Sequence, residues 1–335
     1  MKTCLAYLLA LLLSPVLFSQ TAPTPNGRLV DVGGYRLHLE MQGKGQPPVI
    51  FIAGSQAFSF DWALVAPKVA RMSTAVTYDR PALAWSDPGP MPRSLAQDVY
   101  ELHTLLHEAN IHGPYILVGH SLGGFIARLY EKTYPQEVSG LVLVDATSED
   151  ALLFIQGKIT RLRSLSQNTP PVPIKFVVDT LTKVPSQQKM DDFLKAMGQP
   201  TIEFPFDRLP LKFQRERVWA MKQPKYLIAD NSASMADEFA AMYADSNYTL
   251  TDKPLVVVTS LKNDYPNEIS DSARQELINQ KSLQQRKMTA LSSNSRQVIT
   301  TRSPHEIHLV EPELVIRAVQ DVIESVTGKH IEAHL

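Results

Sequence analysis

One serine of the chain lies in a setting that favours nucleophilic chemistry. Gly119-His120-Ser121-Leu122-Gly123 follows an apolar run and precedes a helix-like pattern. The flanking glycines let a chain turn sharply from strand to helix, so the hydroxyl of Ser121 would stand exposed where the strand ends. A serine hydroxyl is a weak nucleophile alone and requires a histidine base and an acid that orients the histidine. The segment therefore predicts a catalytic serine or, as the alternative, a serine in a structural turn.

Strand-like and helix-like segments alternate around this serine. Strand patterns occur as a hairpin in RLVDV and YRLHLEM, and then in PPVIFIAG, TAVTYDR, PYILVGH, GLVLVDA, PLVVVTS and RQVITT. Helix patterns separate most of them, one beginning near Asp61 and the others over about residues 95–109, 122–134, 268–291 and 312–326. Such alternation is typical of parallel strands joined by helices. The sequence therefore predicts an α/β fold with a mainly parallel sheet of eight strands and helices on both faces.

Residues 150–250 interrupt this alternation. They lack strand signals but contain helix-like stretches around residues 189–197, 211–221 and 234–243. A structureless loop of this length is uncommon inside a compact domain. We therefore predict that residues 28–149 and 251–335 form the core and that residues 150–250 form an inserted helical cap over the ends of the strands, where it would shape a substrate site.

The amino terminus has the composition of an export signal. Lys2 precedes an apolar run over residues 5–13, and the small Ser19 follows. This pattern predicts a secretory signal peptide over residues 1–20 and a linker over residues 21–27, with the protein periplasmic or extracellular. The run is too short for a comfortable membrane span, although an uncleaved anchor is the alternative. Cys4 is the sole cysteine, so the mature chain could form no disulfide.

The net charge of the chain argues against some classes of binding partner. The 335 residues include 33 Lys and Arg against 34 Asp and Glu, a net charge of −1. This balance lacks the excess of basic residues that favours binding to nucleic acid or to an anionic membrane surface. We expect a small-molecule substrate and, once the signal is removed, no stable membrane insertion. His103 and His107 are four residues apart, but HTLLH lacks the glutamate of a zinc protease motif, so no metal site is predicted.

Three segments together resemble a known family. GHSLGG, YDRPALAWSDPGP and SPHEIHLVEP lie where the α/β-hydrolase-fold serine hydrolases of the esterase/lipase-like group have similar motifs. The resemblance covers about residues 29–326. It implies that Ser121 is the nucleophile and that the reaction needs neither a metal nor a cofactor.

The resemblance also implies which histidine activates the serine. SPHEIHLVEP is similar to the family pattern S-G-H-x-x-H-x-x-x-P, in which His305 takes the place of the catalytic base. His308 takes a second place that usually packs beneath the loop, and it is the alternative base. His120, beside the nucleophile, is expected to line the site.

Three carboxylates are candidates for the acid. Asp145 ends GLVLVDA, the strand expected directly beside that of the serine, and some family members carry their acid there. Others carry it after the next strand, where LKNDYPNE offers Asp264 and Glu268. We prefer Asp145, whose structural alternative is a carboxylate that caps the turn after its strand.

Two backbone N–H groups would stabilise the oxyanion of the transition state. By resemblance, one belongs to Leu122, the residue after the nucleophile. The other belongs to the loop after VIFIAG, where Ala53-Gly54-Ser55 aligns with the family's H-G-x. Ser55 is the candidate, with Gln56 as the adjacent alternative.

Three positions depart from the family pattern. Ala82 and Ala84 stand where glycines are usual, and Pro304 replaces the glycine before His305. Alanine resists positive φ, and proline fixes φ near about −65°. The loops around the site are therefore expected to take other paths or to hold the histidine differently.

These inferences predict an exported serine hydrolase that cleaves an ester-type bond of a small, largely apolar substrate through an acyl-enzyme. A peptidase, lactonase or perhydrolase with the same triad is the alternative within the fold. Serine instead of aspartate at the turn argues against a dehalogenase or an epoxide hydrolase. A catalytically weakened protein that holds a ligand in the capped pocket is the alternative from another class.

Overall fold

The computed structural model describes residues 22–155, 158–230, 234–263, 265 and 269–330. The predicted signal peptide lies outside these residues. Ten strands occur in the described chain: β1 Arg28–Asp31, β2 Arg36–Gln42, β3 Val49–Ile52, β4 Ala75–Tyr78, β5 Tyr115–His120, β6 Val138–Val144, β7 Leu152–Ile155, β8 Lys158–Arg161, β9 Leu255–Ser260 and β10 Ser295–Thr300. Its α-helices are α1 Ala66–Val69, α2 Leu95–Glu108, α3 Leu122–Thr133, α4 Gln187–Met197, α5 Leu211–Met221, α6 Met235–Ala244, α7 Asp271–Thr289, α8 Ile307–Val310 and α9 Pro312–Thr327.

Eight of the strands form one sheet in the order β1-β2-β4-β3-β5-β6-β9-β10. β1 and β2 form an antiparallel hairpin, and β2 also pairs antiparallel with β4. All the other pairs of this sheet are parallel. The predicted fold class, an α/β fold with a mainly parallel sheet of eight strands, is confirmed.

Helices cover both faces of the sheet, because the central strands are apolar on both sides. Every residue of β5 is buried. Leu117 belongs to the apolar core that includes Leu102 of α2 and Phe125 of α3. Its neighbour Val118 faces the other way, into the core that includes Val319 of α9. The alternation of side chains along β5 thus joins the two cores through one strand.

The segment between β6 and β9 contains α4, α5 and α6, close to the three predicted helical stretches. The prediction that it has no strands is wrong, because β7 and β8 pair as an antiparallel hairpin, with Leu152 opposite Arg161. The sequence signal was a short one: LLFI and KITR flank Gln156-Gly157. A segment of four residues gives too little periodicity to indicate a strand clearly, so strands this short are easily missed in a sequence.

Part of residues 150–250, which are called the inserted segment below, packs on loops at the carboxyl end of the sheet. Phe58, from the loop after β3, and Leu83, from the loop after β4, are fully buried in a cluster with Ala220 of α5 and Tyr226. The ring of Phe58 stacks on that of Tyr226, with 6.0 Å between ring centroids. The inserted segment thereby borders the strand end where Ser121 lies.

The chain between β3 and β4 differs from the prediction of a helix beginning near Asp61. It forms a 3-10 turn over Ser59–Trp62 and then the single turn α1. Across the described residues, every helix is too short or too polar to cross a membrane.

Candidate active site

Ser121 lies in a sharp turn between β5 and α3. Its backbone adopts φ 53° and ψ −123°, a conformation that is strained for a residue with a side chain. A Cβ added to Gly123 would lie 2.2 Å from the carbonyl oxygen of Ile52, and one added to Gly119 would lie 2.4 Å from that of Gly123. Both glycines are therefore required for the close approach of strand and helix. A turn that stores strain in order to present a hydroxyl supports the nucleophile more than the structural turn.

His305 and Asp145 meet beside this turn. Nδ1 of His305 lies 2.6 Å from Oδ2 of Asp145. Asp145 follows β6, the direct neighbour of β5, and its side chain is fully buried. Asp264 and Glu268, the other acid candidates, lie outside the described residues. The structure thus brings together the preferred candidates for nucleophile, base and acid.

The other contacts of Asp145 keep it ionised. Its Oδ1 accepts the backbone N–H of Ser260 at 2.9 Å, and Nζ of Lys281 lies 2.7 Å from its Oδ2. Burial alone would raise the pKa of Asp145, but the charge of Lys281 and the hydrogen bond from His305 outweigh burial and hold this pKa below its usual value. The sequence reading missed Lys281, because it lies on α7 and no motif marks it.

The ionised carboxylate sets the tautomer of His305. An acceptor at Nδ1 requires an N–H there, which leaves the lone pair of Nε2 free to take a proton. Burial lowers the pKa of His305, but the hydrogen bond and the charge of Asp145 outweigh it, so this pKa is raised. Ser121 and His305 line the same two cavities. No hydrogen bond joins them within the described chain, and catalytic hydrogen bonds often tighten only when substrate binds.

The two remaining histidines of the site are buried behind His305. The ring of His120 lies 4.5 Å from the rings of both His305 and His308, measured between centroids. Nε2 of His120 lies 3.1 Å from the carbonyl oxygen of His305, where its N–H would donate. Burial lowers the pKa of His308 to about 3, and its ring packs on Trp62. This position suits a packing role for His308 better than that of the base.

The candidate oxyanion donors lie next to the serine. A Cβ added to Gly54 would lie 3.1 Å from Cβ of Ser121, so the loop after β3 runs against this serine. Ser55 follows and is exposed. The N–H of Gln56 donates to the carboxylate of Asp230, so this alternative donor is already engaged. Leu122 is the first residue of α3, where an N–H has no partner within the helix.

A buried ion pair holds residues 53–56 of the loop after β3, called the oxyanion loop below because this loop carries the candidate donor Ser55. Arg80 donates to the carbonyl oxygens of Ala53 and Gly54, each at 2.6 Å. Its guanidinium also forms two hydrogen bonds to Asp230, at 2.9 and 2.7 Å. Both side chains of this pair are almost fully buried. Asp230 belongs to the inserted segment, which sequence reasoning could not connect to the loop.

Comparison with known proteins agrees with this architecture. A family described as the alpha/beta hydrolase fold matches residues 47–196. The chain has the α/β-hydrolase fold. Its matches to curated proteins are partial: the first three cover only 16%, 18% and 37% of those proteins' own lengths.

Solved structures with the α/β-hydrolase fold match over most of the chain. A meta-cleavage product hydrolase from Pseudomonas fluorescens is 16% identical, with a TM-score of 0.56, over 90% of this chain and 99% of that one. A thermophilic esterase from Thermogutta terrifontis is 14% identical, with a TM-score of 0.58, over 90% and 99%. An epoxide hydrolase is 14% identical, with a TM-score of 0.57, over 89% and 98%. At these identities the likeness concerns the fold.

The departures from the family pattern are accommodated within this α/β-hydrolase fold. Ala82 and Ala84 are buried and adopt positive φ, at 67° and 37°, so the loop after β4 keeps a left-handed path despite its alanines. A left-handed residue with a Cβ costs about 1–2 kcal/mol. Next to Pro304, Ser303 is fixed by two hydrogen bonds: its carbonyl oxygen accepts from Ser260, and its hydroxyl donates to Glu311. Both alanines therefore adopt the left-handed conformation that glycine supplies more easily, and the expectation about the loop paths stays a prediction.

Two cavities of the α/β-hydrolase fold are lined by Ser121, and a third adjoins one of them. One of about 270 Å³ lies on the Asp145 side and includes Lys281, and one of about 340 Å³ lies on the oxyanion side. The second shares Gln56, Phe206, Arg217 and Tyr226 with a third cavity, of about 560 Å³. The inserted segment lines most of this third cavity, with Phe193, Met197, Phe204 and Met221 among its apolar residues.

Among the described residues, no group of three or more His, Cys, Asp or Glu side chains is arranged to hold an ion. His103 instead lies 3.2 Å from Glu137 and stacks on Tyr134, while the side chain of His107 is largely exposed.

Proposed function

We propose that the protein is a serine hydrolase that cleaves an ester-type bond of a small, largely apolar substrate through an acyl-enzyme. The observation that carries this proposal is the pair formed by His305 and Asp145, 2.6 Å apart, beside the strained turn of Ser121. The candidate nucleophile, acid and base follow β5, β6 and β10, whose carboxyl ends lie at the same edge of the sheet. This is the arrangement that a weakly nucleophilic hydroxyl needs.

In the proposed mechanism His305 accepts the proton of Ser121 through Nε2 while the serine oxygen attacks the substrate carbonyl. Asp145 stabilises the imidazolium and stays ionised. The N–H groups of Ser55 and Leu122 would hold the oxyanion, and each such donor contributes about 3–4 kcal/mol to the transition state. His305 then protonates the leaving group. Water then attacks the acyl-enzyme while His305 accepts a proton from it. His305 returns this proton to the oxygen of Ser121, and the carboxylic acid product is released.

The cavities support the class of substrate. Phe193, Met197 and Phe204 give the third cavity apolar walls, and the guanidinium of Arg217, which also lines it, is neutralised by Asp61 at 2.8 and 2.7 Å. An uncharged acyl or aryl group matches such walls, because its burial there requires no desolvated charge. No role for nucleic acid is proposed.

We further propose that residues 1–20 direct the protein out of the cytoplasm and are then removed. The support is the sequence pattern of Lys2, the apolar run and Ser19. The mature enzyme would then act in the periplasm or outside the cell.

The test is intact-mass analysis after incubation with a fluorophosphonate, which reacts with a serine that its base and oxyanion donors activate. Wild-type protein is expected to gain one adduct, and Ser121→Ala none. Ser164→Ala is the matched control, because Ser164 is exposed and lines none of the three cavities described above.

Two results would count against the proposal. An adduct that persists in folded Ser121→Ala would assign the nucleophile to another residue. Absence of any adduct on folded wild-type protein would favour the ligand-binding alternative, in which the same cavities hold an unreacted small molecule.

A further inference from the structure

The carboxylate of Asp145 has a partner that the proposed mechanism does not use. Nζ of Lys281 and Nδ1 of His305 both contact the same oxygen, Oδ2, at 2.7 and 2.6 Å. Asp145 is fully buried, whereas the side chain of Lys281 is 27% exposed and lines the cavity beside Ser121. An ammonium and an imidazole therefore share one carboxylate oxygen at the edge of the site.

We propose that Lys281 is a positioning residue that fixes Asp145 and shares its negative charge with His305, and so sets the pH below which the base is lost. This inference rests on the proposed function. In a Ser-His-Asp triad the carboxylate stabilises the imidazolium. An ammonium on the same oxygen weakens this stabilisation and also repels the imidazolium directly, so His305 stays neutral to lower pH than it would beside Asp145 alone.

The helix that carries Lys281 is fixed against the loop that follows β6. Nε2 of Gln285 donates to the carbonyl oxygen of Ala146 at 2.8 Å, and Nε2 of Gln284 donates to that of Asp150 at 2.6 Å. Both glutamines are buried. The next turn of α7 is thus bonded to the same loop as the triad acid, and this holds Lys281 in register with Asp145.

The other charged or titratable groups near His305 do not replace Lys281. Glu306 is an anion that raises the pKa of His305, which is the opposite effect. Burial lowers the pKa values of His120 and His308, so both rings remain neutral at moderate pH. Across the oxyanion-side cavity, Arg217 is paired with Asp61. Within the described chain, Lys281 is the one cationic side chain bonded to the triad carboxylate.

The experiment follows the titration of His305 itself by NMR, with its imidazole signal assigned by its absence from His305→Asn. Lys281→Met removes the charge, Lys281→Gln removes the charge but keeps a donor for Asp145, and Lys281→Arg keeps the charge. Lys287→Met is the matched control, because Lys287 is an exposed lysine of the same helix. We expect the pKa of His305 to rise by about 0.5–1 unit in the two neutral variants and to stay in place in the other two.

In Lys281→Met and Lys281→Gln, the acid limb of the pH profile of kcat/KM should shift to higher pH by the same amount as the pKa of His305, because the protonated imidazole cannot act as base. An unchanged pKa in folded Lys281→Met and Lys281→Gln would overturn the proposal, as would an equal rise in Lys281→Arg. The NMR titration does not require turnover. A protein that fails to react with a fluorophosphonate but shows the shift would refute the proposed function alone.

Discussion

At the scale of single residues, we expect the largest effect on activity from a substitution of Asp145. It accepts hydrogen bonds from Ser260, Lys281 and His305 while its side chain is fully buried. Asp145→Asn is expected to lower kcat/KM for a p-nitrophenyl ester by about 10³–10⁴-fold, because an amide favours the wrong tautomer of His305 and leaves its imidazolium unstabilised. Initial rates at one pH well above the pKa of His305 provide the measurement.

The control for this change is Asp245→Asn, which removes a carboxylate paired with Lys132 at the surface. Its activity should remain that of the wild type. Unaltered activity of Asp145→Asn would transfer the acid role to Asp264 or Glu268.

Residues at strand ends were the ones that sequence could locate. Ser121, Asp145 and His305 each follow a strand, and the carboxyl ends of parallel strands meet at one edge of a sheet, so their proximity followed from topology. Lys281 and Asp230 escaped prediction for a physical reason. Each reaches the site from a helix or from the inserted segment, and such contacts depend on packing angles that no local pattern encodes.

At the scale of elements, the ion pair between Arg80 and Asp230 connects the inserted segment to the oxyanion loop. Asp230→Asn removes the charge and leaves Arg80 buried without its partner, which should reduce the free energy of unfolding by about 3 kcal/mol or more. It should also lower kcat by about tenfold or more, with a smaller change in KM, because the loop that presents Ser55 loses an anchor. Urea unfolding and steady-state kinetics measure the two effects.

The comparison for this prediction is Asp207→Asn, another carboxylate of the inserted segment but an exposed one. It should change neither quantity. If Asp230→Asn kept the kcat of the wild type, the ion pair would have no part in placing the loop.

The reliability of element prediction followed the length of the pattern. The long helices were predicted within a few residues, as α2, α3 and α9 show, because several turns of apolar periodicity support each of them. The hairpin of β7 and β8 was missed and the helix near Asp61 was expected in the wrong form. Both involve segments of four residues, for which periodicity carries little information.

At the scale of the whole molecule, burial of neutral histidines links stability to pH. The folded state lowers the pKa of His308 from 6.5 to about 3, so between these values the unfolded chain binds a proton that the folded protein does not. This contribution to stability is therefore fully present above about pH 6.5 and is lost as the pH falls toward 3. His308→Gln should flatten the decline of the unfolding free energy between pH 6.5 and 4 by up to about 1.4 kcal/mol per pH unit.

Urea unfolding at several pH values measures this slope. His112→Gln provides the comparison, since His112 is exposed, and its slope should match that of the wild type. Parallel declines in wild type and His308→Gln would show that His308 is not held neutral in the folded protein.

The bond between residues 80 and 230 has a consequence for how the protein is made. During synthesis the loop that presents Ser55 and the arginine that holds it emerge long before Asp230 does. A nascent chain that had already formed the turn at Ser121 would still lack the ion pair between Arg80 and Asp230 that holds its oxyanion loop. The proposed activity would then develop late in folding, when the walls of the proposed substrate cavity also form.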